Sequence, residues 1–229
     1  MPGRIIAIGD IHGYWKALTA LLEAADPRPS DLLIPLGDYV DRGPNSPQVI
    51  EEMIRLRDRC RLVPILGNHD EMLLEIYHGA PGIEDWLSFG GRETLAAYDS
   101  LNPEAIPAEH VAFLENCVPY YETERHLFVH ASYVADLPLE QQPPDVLRWQ
   151  SLHYVQPGPH CSGKIAICGH TADKDGLILD LGYLKCIDTC CYCGNWLTAL
   201  EVTTAEIWQA TPEGKLRGKD EGSRMKDER

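Results

Sequence analysis

An α/β fold is what the sequence predicts, and three observations predict it. Residues 4–8, 32–36 and 62–66 are near-continuous apolar runs, the composition of strands covered on both faces. A helix-like segment follows each run, and strand–helix alternation sets successive strands parallel through right-handed crossovers. Each run also ends in glycine beside an acid or an amide: Gly9-Asp10, Gly37-Asp38 and Gly67-Asn68. Ligands of open α/β sheets bind beyond the carboxyl ends of the strands, so the three following loops share one rim.

In chain order, helices are expected over residues 14–25, 47–58 and 71–77, one after each strand. Residues 79–121 read as mainly helical, with segments at 86–89, 92–98 and 107–116. Strands are expected at 119–122 and 126–129, then at 165–168, 177–181, 184–187, 197–202 and 205–209. The strands from 165 onward predict a second, largely antiparallel sheet. Residues 1–210 read as one domain. Residues 211–229, rich in Lys, Arg, Asp, Glu and Gly, read as a solvated, disordered tail.

Composition narrows the function. The chain has 229 residues, 44% hydrophobic and 24% charged, with a formal net charge of −15. That is ample material for a buried core. Such an acidic balance argues against a general nucleic-acid binder, because phosphate backbones recruit Lys and Arg. It leaves an anionic substrate open, since metal ions can reverse the local sign of charge. No run approaches the ~20 apolar residues of a membrane helix and no export leader is visible, so a cytoplasmic location without a membrane partner is expected. Of the eight cysteines, Cys186, Cys190, Cys191 and Cys193 are clustered. Their CxxxCCxC spacing differs from the paired CxxC of zinc sites, and reduced thiols acting as small buried hydrophobes are expected.

The chemistry is concentrated in five short stretches: GDIHG (9–13), GDYVDRG (37–43), GNHD (67–70), FVHA (128–131) and GHT (169–171). Asp10, His12, Asp38, Asn68, His130 and His170 offer two carboxylates, one amide oxygen and three imidazoles at strand ends. That donor set suits a pair of divalent first-row ions with one carboxylate shared between them. Each residue alone has a plain structural reading: Asp10 as a helix cap, Asn68 in a turn, His130 as a buried hydrogen-bonded imidazole. Six at strand ends, with three glycine-flanked loops among them, are not explained that way.

GDIHG, GDYVDRG and GNHD, in that order and spacing, resemble the phosphoprotein phosphatase family of calcineurin-like metallophosphoesterases. FVHA and GHT are similar to the later histidine motifs of its bacterial and phage-type serine/threonine phosphatase branch. WLSFGGRETLAAY and IDTCCYCGNWLTALEV extend the likeness to residues 4–202. The resemblance implies a two-sheet β-sandwich flanked by helices, with two metal ions at its rim. Asp10, His12 and Asp38 would hold one ion, and Asp38, Asn68, His130 and His170 the other. Manganese is the expected metal, with iron or zinc compatible with the same ligands. Two cations at a shared water would make hydroxide available near neutral pH for direct in-line attack on phosphorus.

By the same likeness His69 is the proton donor to the leaving group, and Asp41 orients and charges its imidazole. Arg42 offers a fork of N–H donors to phosphate, and Asn68 borders the same position. Relatives carry a second arginine just after the tryptophan of a leucine–tryptophan motif. Here the text is VLRWQSLH, with Arg148 before Trp149, so Arg148 either swings in as a phosphate ligand or the second clamp is missing. The cysteine-rich 190–193 stretch likewise replaces a glycine-richer one. His110, His153 and His160 have no motif support and are read as surface or structural residues.

The reading of first choice is a phosphatase of phosphoserine and phosphothreonine monoesters, extending to phosphotyrosine, with phosphoproteins or phosphopeptides as partners. An alternative is a phosphohydrolase of dinucleoside polyphosphates or other small nucleotides. The related symmetrical dinucleoside tetraphosphatases often carry alanine where this chain has Asp41, and a pyrophosphate leaving group needs less protonation. A third reading, of another class, is a non-catalytic metal-containing binding protein.

Overall fold

The computed structural model describes residues 3–218 and 225–226. Its first sheet has the order β10–β9–β1–β2–β3, built from β1 (Ile5–Ile8), β2 (Leu32–Pro35), β3 (Arg61–Leu62), β9 (Leu197–Glu201) and β10 (Ile207–Ala210). β1, β2 and β3 are mutually parallel, joined through α1 (Trp15–Ala25) and α2 (Ser46–Leu56). β9 and β10 continue the sheet antiparallel on the far side of β1.

The second sheet has the order β11–β7–β8–β6–β5–β4. Its strands are β4 (Tyr120–Glu122), β5 (His126–Val129), β6 (Ile165–Cys168), β7 (Ile178–Asp180), β8 (Leu184–Cys186) and β11 (Met225–Lys226).

Period-two burial decides which side chain meets which layer. Ala7 and Ile34 of the first sheet share a core with Phe128 and Ile167 of the second, so this core lies between the sheets. Ile6, Ile8 and Leu33 point the other way, onto Leu18 and Leu21 of α1 and Val49, Ile50 and Met53 of α2. On the second sheet Leu127, Val129, Ala166 and Cys168 face a third core closed by Tyr133, Leu139, Leu147 and Leu152. A fully buried leucine or isoleucine contributes about 1.5–3 kcal/mol. With a core on both faces of its inner strands, each sheet holds its strand ends rigidly.

The sandwich of two sheets with flanking helices matches expectation, and four details differ. β3 is only two residues long, although Val63 N–H and Ile65 N–H still reach Leu33 O and Pro35 O of the β2 segment at 2.9 Å; on its other edge Ile65 forms an isolated bridge to Val118. The second sheet is mixed, with β5, β6 and β8 parallel. The connection spanning residues 130–164 is long enough for a parallel crossover and includes α7 (Pro144–Trp149), which the sequence pattern did not reveal. Strands 197–201 and 207–210 belong to the first sheet, where β9 pairs with β1.

Residues 211–218, expected to belong to a disordered tail, are ordered against the domain. Thr211 N–H bonds Lys215 O, Arg217 N–H bonds Gln209 O, and the Arg217 guanidinium lies 4.9 Å over the Trp196 ring. The remainder of that tail, 219–224 and 227–229, lies outside the described residues. No helix among the described residues is long and apolar enough to cross a membrane.

Candidate active site

Strands of both sheets end on one rim. β1 leads to Asp10 and His12, β2 to Asp38, Asp41 and Arg42, β5 to His130, and β6 to His170. Asn68 and His69 open α3 (Asn68–Tyr77), three residues earlier than the helical pattern suggested. The turns are tight: His12, Asp38, Asp41, Arg42 and His170 all have positive φ, between 47° and 68°. Such conformations cost a non-glycine residue roughly 1–2 kcal/mol each, and they cluster where the surroundings fix them. Glycine is required beside them, since a Cβ on Gly67 would overlap Asp38 Oδ1 and one on Gly169 would overlap Asp10 Oδ1.

The six ligand candidates converge around Asp38. Donor atoms of His12, Asp38 and His69, and separately of Asp10, Asp38 and His130, lie within 4.8 Å of one another. Asp38 belongs to both groups, with Oδ2 3.4 Å from His12 Nε2 and Oδ1 3.5 Å from His130 Nε2. Asn68 Oδ1 is 2.9 Å from both His130 Nε2 and His170 Nδ1.

Each imidazole turns its other nitrogen to a backbone carbonyl: His12 Nδ1 to Val40 O at 2.9 Å, His130 Nδ1 to Leu36 O at 2.8 Å, His170 Nε2 to Trp149 O at 3.2 Å. A ring N–H given to each carbonyl fixes the tautomer and leaves the second nitrogen as a lone pair, the arrangement of metal-ligating histidines. For His130 and His170 that lone pair meets another lone pair, on Asn68 Oδ1. A cation among them converts both repulsive contacts into coordination, so the residues fit a divalent metal. His12 Nε2 is instead engaged by Arg42 Nη1 at 2.7 Å.

Electrostatics point the same way. Burial, ahead of every other influence, pushes His12 and His130 below the ordinary imidazole value, and burial beside His130 takes His170 down to about 4. All three thereby favour the neutral imidazole, the form a metal ion would need. Burial opposes the charge of Asp38, yet His130, His69, His12 and Arg42 outweigh it and hold this carboxyl well below the usual range. Asp10 is pushed up by burial, then by Asp188 and Asp38, while burial takes Asp188 to about 6. Several carboxylates in one dry cluster call for added positive charge.

Behind the ligands lies a second assembly. His69 Nδ1 donates to Asp41 Oδ2 at 2.8 Å, and His69 N–H donates to Asp38 Oδ1 at 3.0 Å. Asp41, with no solvent exposure, also accepts from Thr94 Oγ1 (2.7 Å) and from Trp86 Nε1 (3.0 and 3.2 Å), and its own N–H donates to Thr94 Oγ1 (2.8 Å). Trp86 ends α4 (Ile83–Trp86). A π-helical turn then brings Thr94 of α5 (Arg92–Ala97) back to the same carboxylate.

Of the two arginines, the Arg42 guanidinium sits 4.1 Å over the Tyr192 ring. Arg148 ends α7, pairs through Nη2 with Glu71 at 2.5 Å, and lies near enough to His130 to disfavour its protonation. Arg148 Nε is buried and makes no hydrogen bond. His110 and His160 are buried with hydrogen bonds to Tyr98 and to Leu137 O, while His153 is exposed.

Five residues of this neighbourhood were not singled out in sequence. Asp70 accepts backbone N–H groups of Asp38, Tyr39 and Gly67 at 2.8, 2.9 and 3.0 Å, tying two ligand loops together. Asp188 shares a side-chain hydrogen bond with Asp10. Trp86 and Thr94 hold Asp41, and Tyr192 packs edge-on against His12. Asp70 and Asp188 stood inside recognised stretches, GNHD and IDTCC, where a further acid was the available signal. The cysteine expectation needs correction at one pair: Cys190 and Cys193 form a disulfide, because a short 3₁₀ turn brings their Cα atoms to 5.2 Å. Cys60, Cys117, Cys161, Cys168, Cys186 and Cys191 are free.

A family model described as calcineurin-like phosphoesterase matches residues 3–174. The symmetrical bis(5'-nucleosyl)-tetraphosphatase of Paracidovorax citrulli is 37% identical over 145 residues, 59% of this chain and 48% of that protein. Serine/threonine-protein phosphatase 2 of Escherichia coli is 38% identical over 104 residues, 45% of each chain. The matched region is thus about half the length of these relatives. Among solved structures, the cold-active protein-tyrosine phosphatase of a psychrophilic Shewanella superposes with a TM-score of 0.66, covering 95% of this chain and 80% of that one. At 15% identity that likeness concerns the fold alone.

Proposed function

Because the chain belongs to the calcineurin-like phosphoesterase family, we propose that it is a metal-dependent phosphohydrolase that cleaves the polyphosphate chain of dinucleoside polyphosphates. The observation that carries the hydrolase reading is Asp38, shared between two groups of donor atoms and flanked by three neutral imidazoles. Asp10, His12 and Asp38 would hold one divalent ion and Asp38, Asn68, His130 and His170 a second, with manganese the metal of first choice and iron or zinc compatible. Two such ions supply Lewis acidity to a phosphoryl group and make water acidic enough to be a nucleophile near pH 7.

The chain's own groups do the rest. Arg42, at the edge of the cluster, is suited to phosphate oxygens, whereas Arg148 is held by Glu71 and would bind phosphate only on leaving it. Asn68 Oδ1 lies 2.9 Å from both His130 Nε2 and His170 Nδ1, where it would share a cation with them and border the phosphate. His69, its Nδ1–H given to Asp41, is positioned to deliver a proton from Nε2 to the departing oxygen. The substrate class is supported by the likeness to a bis(5'-nucleosyl)-tetraphosphatase, which covers more of the chain than the likeness to the serine/threonine phosphatase.

A second reading, a phosphoserine or phosphothreonine phosphatase acting on phosphoproteins, is favoured by one observation. The Asp41–His69 pair is fully built and braced by Trp86 and Thr94. A serine alkoxide leaves only with a proton, whereas a nucleotide leaves readily, so this pair matters most for monoesters. The deciding experiment compares kcat/KM on diadenosine tetraphosphate and on a phosphoserine peptide with manganese present. A ratio above unity is expected, and a strong preference for the peptide overturns the first reading in favour of the second.

A further inference from the structure

We infer that the indole of Trp149 is a stacking platform for a nucleobase at the edge of the metal site, an inference that rests on the nucleotide reading above. Trp149 is 42% exposed, whereas Trp86 is 1% exposed. A lone exposed apolar residue is ordinary. Trp149 differs in how firmly it is held. Its Nε1–H donates to Glu71 Oε2 at 2.8 Å, and the other oxygen of Glu71 takes Arg148 Nη2 at 2.5 Å. Its carbonyl accepts from His170 Nε2 at 3.2 Å, so the backbone that carries the ring touches a candidate metal ligand. The turn that follows is pinned to the same loop through Leu152 N–H and Thr171 Oγ1 at 2.9 Å.

One edge of the indole is therefore satisfied by a carboxylate while much of the side chain stays in water. The fold covers only part of it and leaves 42% in solvent, although burying the whole tryptophan would add stability. What the arrangement provides is preorganisation: an aromatic surface held without further ordering cost. Arg148, the adjacent residue, places a guanidinium on the same Glu71 support, where release from that carboxylate would offer it to a phosphate. A ligand that engages both must carry a flat π-system a short link away from an anionic phosphate, which describes a nucleotide. Stacking tolerates any base, because each has a π-face, so the platform would accept adenine and guanine alike.

The test uses the full chain with manganese and compares Trp149→Ala and Trp149→Phe with the parent. Calorimetry gives Kd for adenosine monophosphate and for ribose 5-phosphate, which lacks the base. The parent should bind the nucleotide about tenfold or more tighter, the contribution of one stacked base. Trp149→Ala should erase that preference and leave ribose 5-phosphate binding unchanged, and Trp149→Phe, which keeps a π-face but loses the hold on Glu71, should retain part of it. No preference in the parent, a preference that survives Trp149→Ala, or equal weakening of both ligands overturns the platform. Failure of the substrate reading looks different: the nucleotide preference depends on Trp149, but diadenosine tetraphosphate is not cleaved.

Discussion

Thr94→Val removes one oxygen from the support of Asp41 and keeps the shape of the side chain. In the native site that oxygen donates to Asp41 Oδ1 at 2.7 Å and accepts the Asp41 N–H at 2.8 Å. Losing the first deprives a buried carboxylate of a charged hydrogen bond, about 1.5–3 kcal/mol, and losing the second strands a buried N–H, about 1–3 kcal/mol. Trp86 Nε1 and His69 Nδ1 still reach the carboxylate, so its charge is not abandoned outright. A net loss of about 3–5 kcal/mol follows, large against the 5–15 kcal/mol of a typical domain yet small enough to leave it folded. Urea unfolding measures it as a fall in midpoint at constant slope. Thr94→Ser, which restores the hydroxyl, should return to within about 1 kcal/mol of the parent. In Thr94→Val kcat on a phosphoserine peptide should fall more than kcat on an aryl phosphate, whose leaving group needs no proton. A loss below about 1 kcal/mol for Thr94→Val, or equal instability of Thr94→Ser, would refute the hydrogen-bond accounting.

His69→Asn should lower turnover of phosphoserine by about 10²–10⁴-fold with bound metal retained, and of an aryl phosphate much less; equal losses count against proton donation. Asp38→Asn should reduce the occupancy of both metal positions in elemental analysis, and unchanged content would overturn the shared-ligand assignment. Asp31 tests pH linkage away from the site. Burial opposes its charge, but the Arg4 guanidinium and the N–H groups of Arg28 and Arg4 prevail and depress its carboxyl. A depressed folded pKa means stability that is present above the ordinary aspartate value and lost as pH falls through the folded one. Asp31→Asn should therefore cost about 3 kcal/mol in urea at pH 7, with the gap closing below about pH 4. A gap independent of pH would show that the charge of Asp31 is not what stabilises.

What was legible in the sequence follows from range. The strands of residues 4–8, 32–36, 126–129 and 165–168 announce themselves because they are covered on both faces, so burial leaves an unbroken apolar run. The ligands announce themselves because a residue that must turn sharply off a strand end brings glycine with it, as Gly9, Gly37, Gly67 and Gly169 do. The partners of Asp41 were hidden for the opposite reason. Trp86 and Thr94 lie 45 and 53 residues further along the chain, in a segment whose local pattern says only helix. Sheet direction was equally hidden: β5, β6 and β8 are short, and nothing local to them tells a hairpin from a crossover. The last strands read correctly as strands, but their pairing with β1 is a contact between the two ends of the chain.

The distribution of cost in the site bears on how its two layers divide the work. The ligand loops carry the strained backbone, at His12, Asp38, Asp41, Arg42 and His170, and the crowded acids Asp10, Asp38 and Asp188. Hydrogen bonding inside the protein offsets part of this. Asp70 gathers three N–H groups from the loops after β2 and β3, and His170 N–H reaches both oxygens of Asp10. It leaves Asn68 Oδ1 facing nitrogens of both His130 and His170 at 2.9 Å, three atoms that a cation would satisfy together. The Asp41 layer differs in kind, for every polar contact there is already a donor meeting an acceptor, with Trp86, Thr94 and His69 around one carboxylate. That layer is complete without metal, so His69 keeps its orientation whether or not the ligands in front of it are loaded. On the proposed reading, proton delivery would rest on the Asp41 layer and phosphate activation on the ligand candidates, the two meeting where His69 N–H bonds Asp38, so a change of preference between a nucleotide and an alkoxide leaving group would be sought first at Asp41.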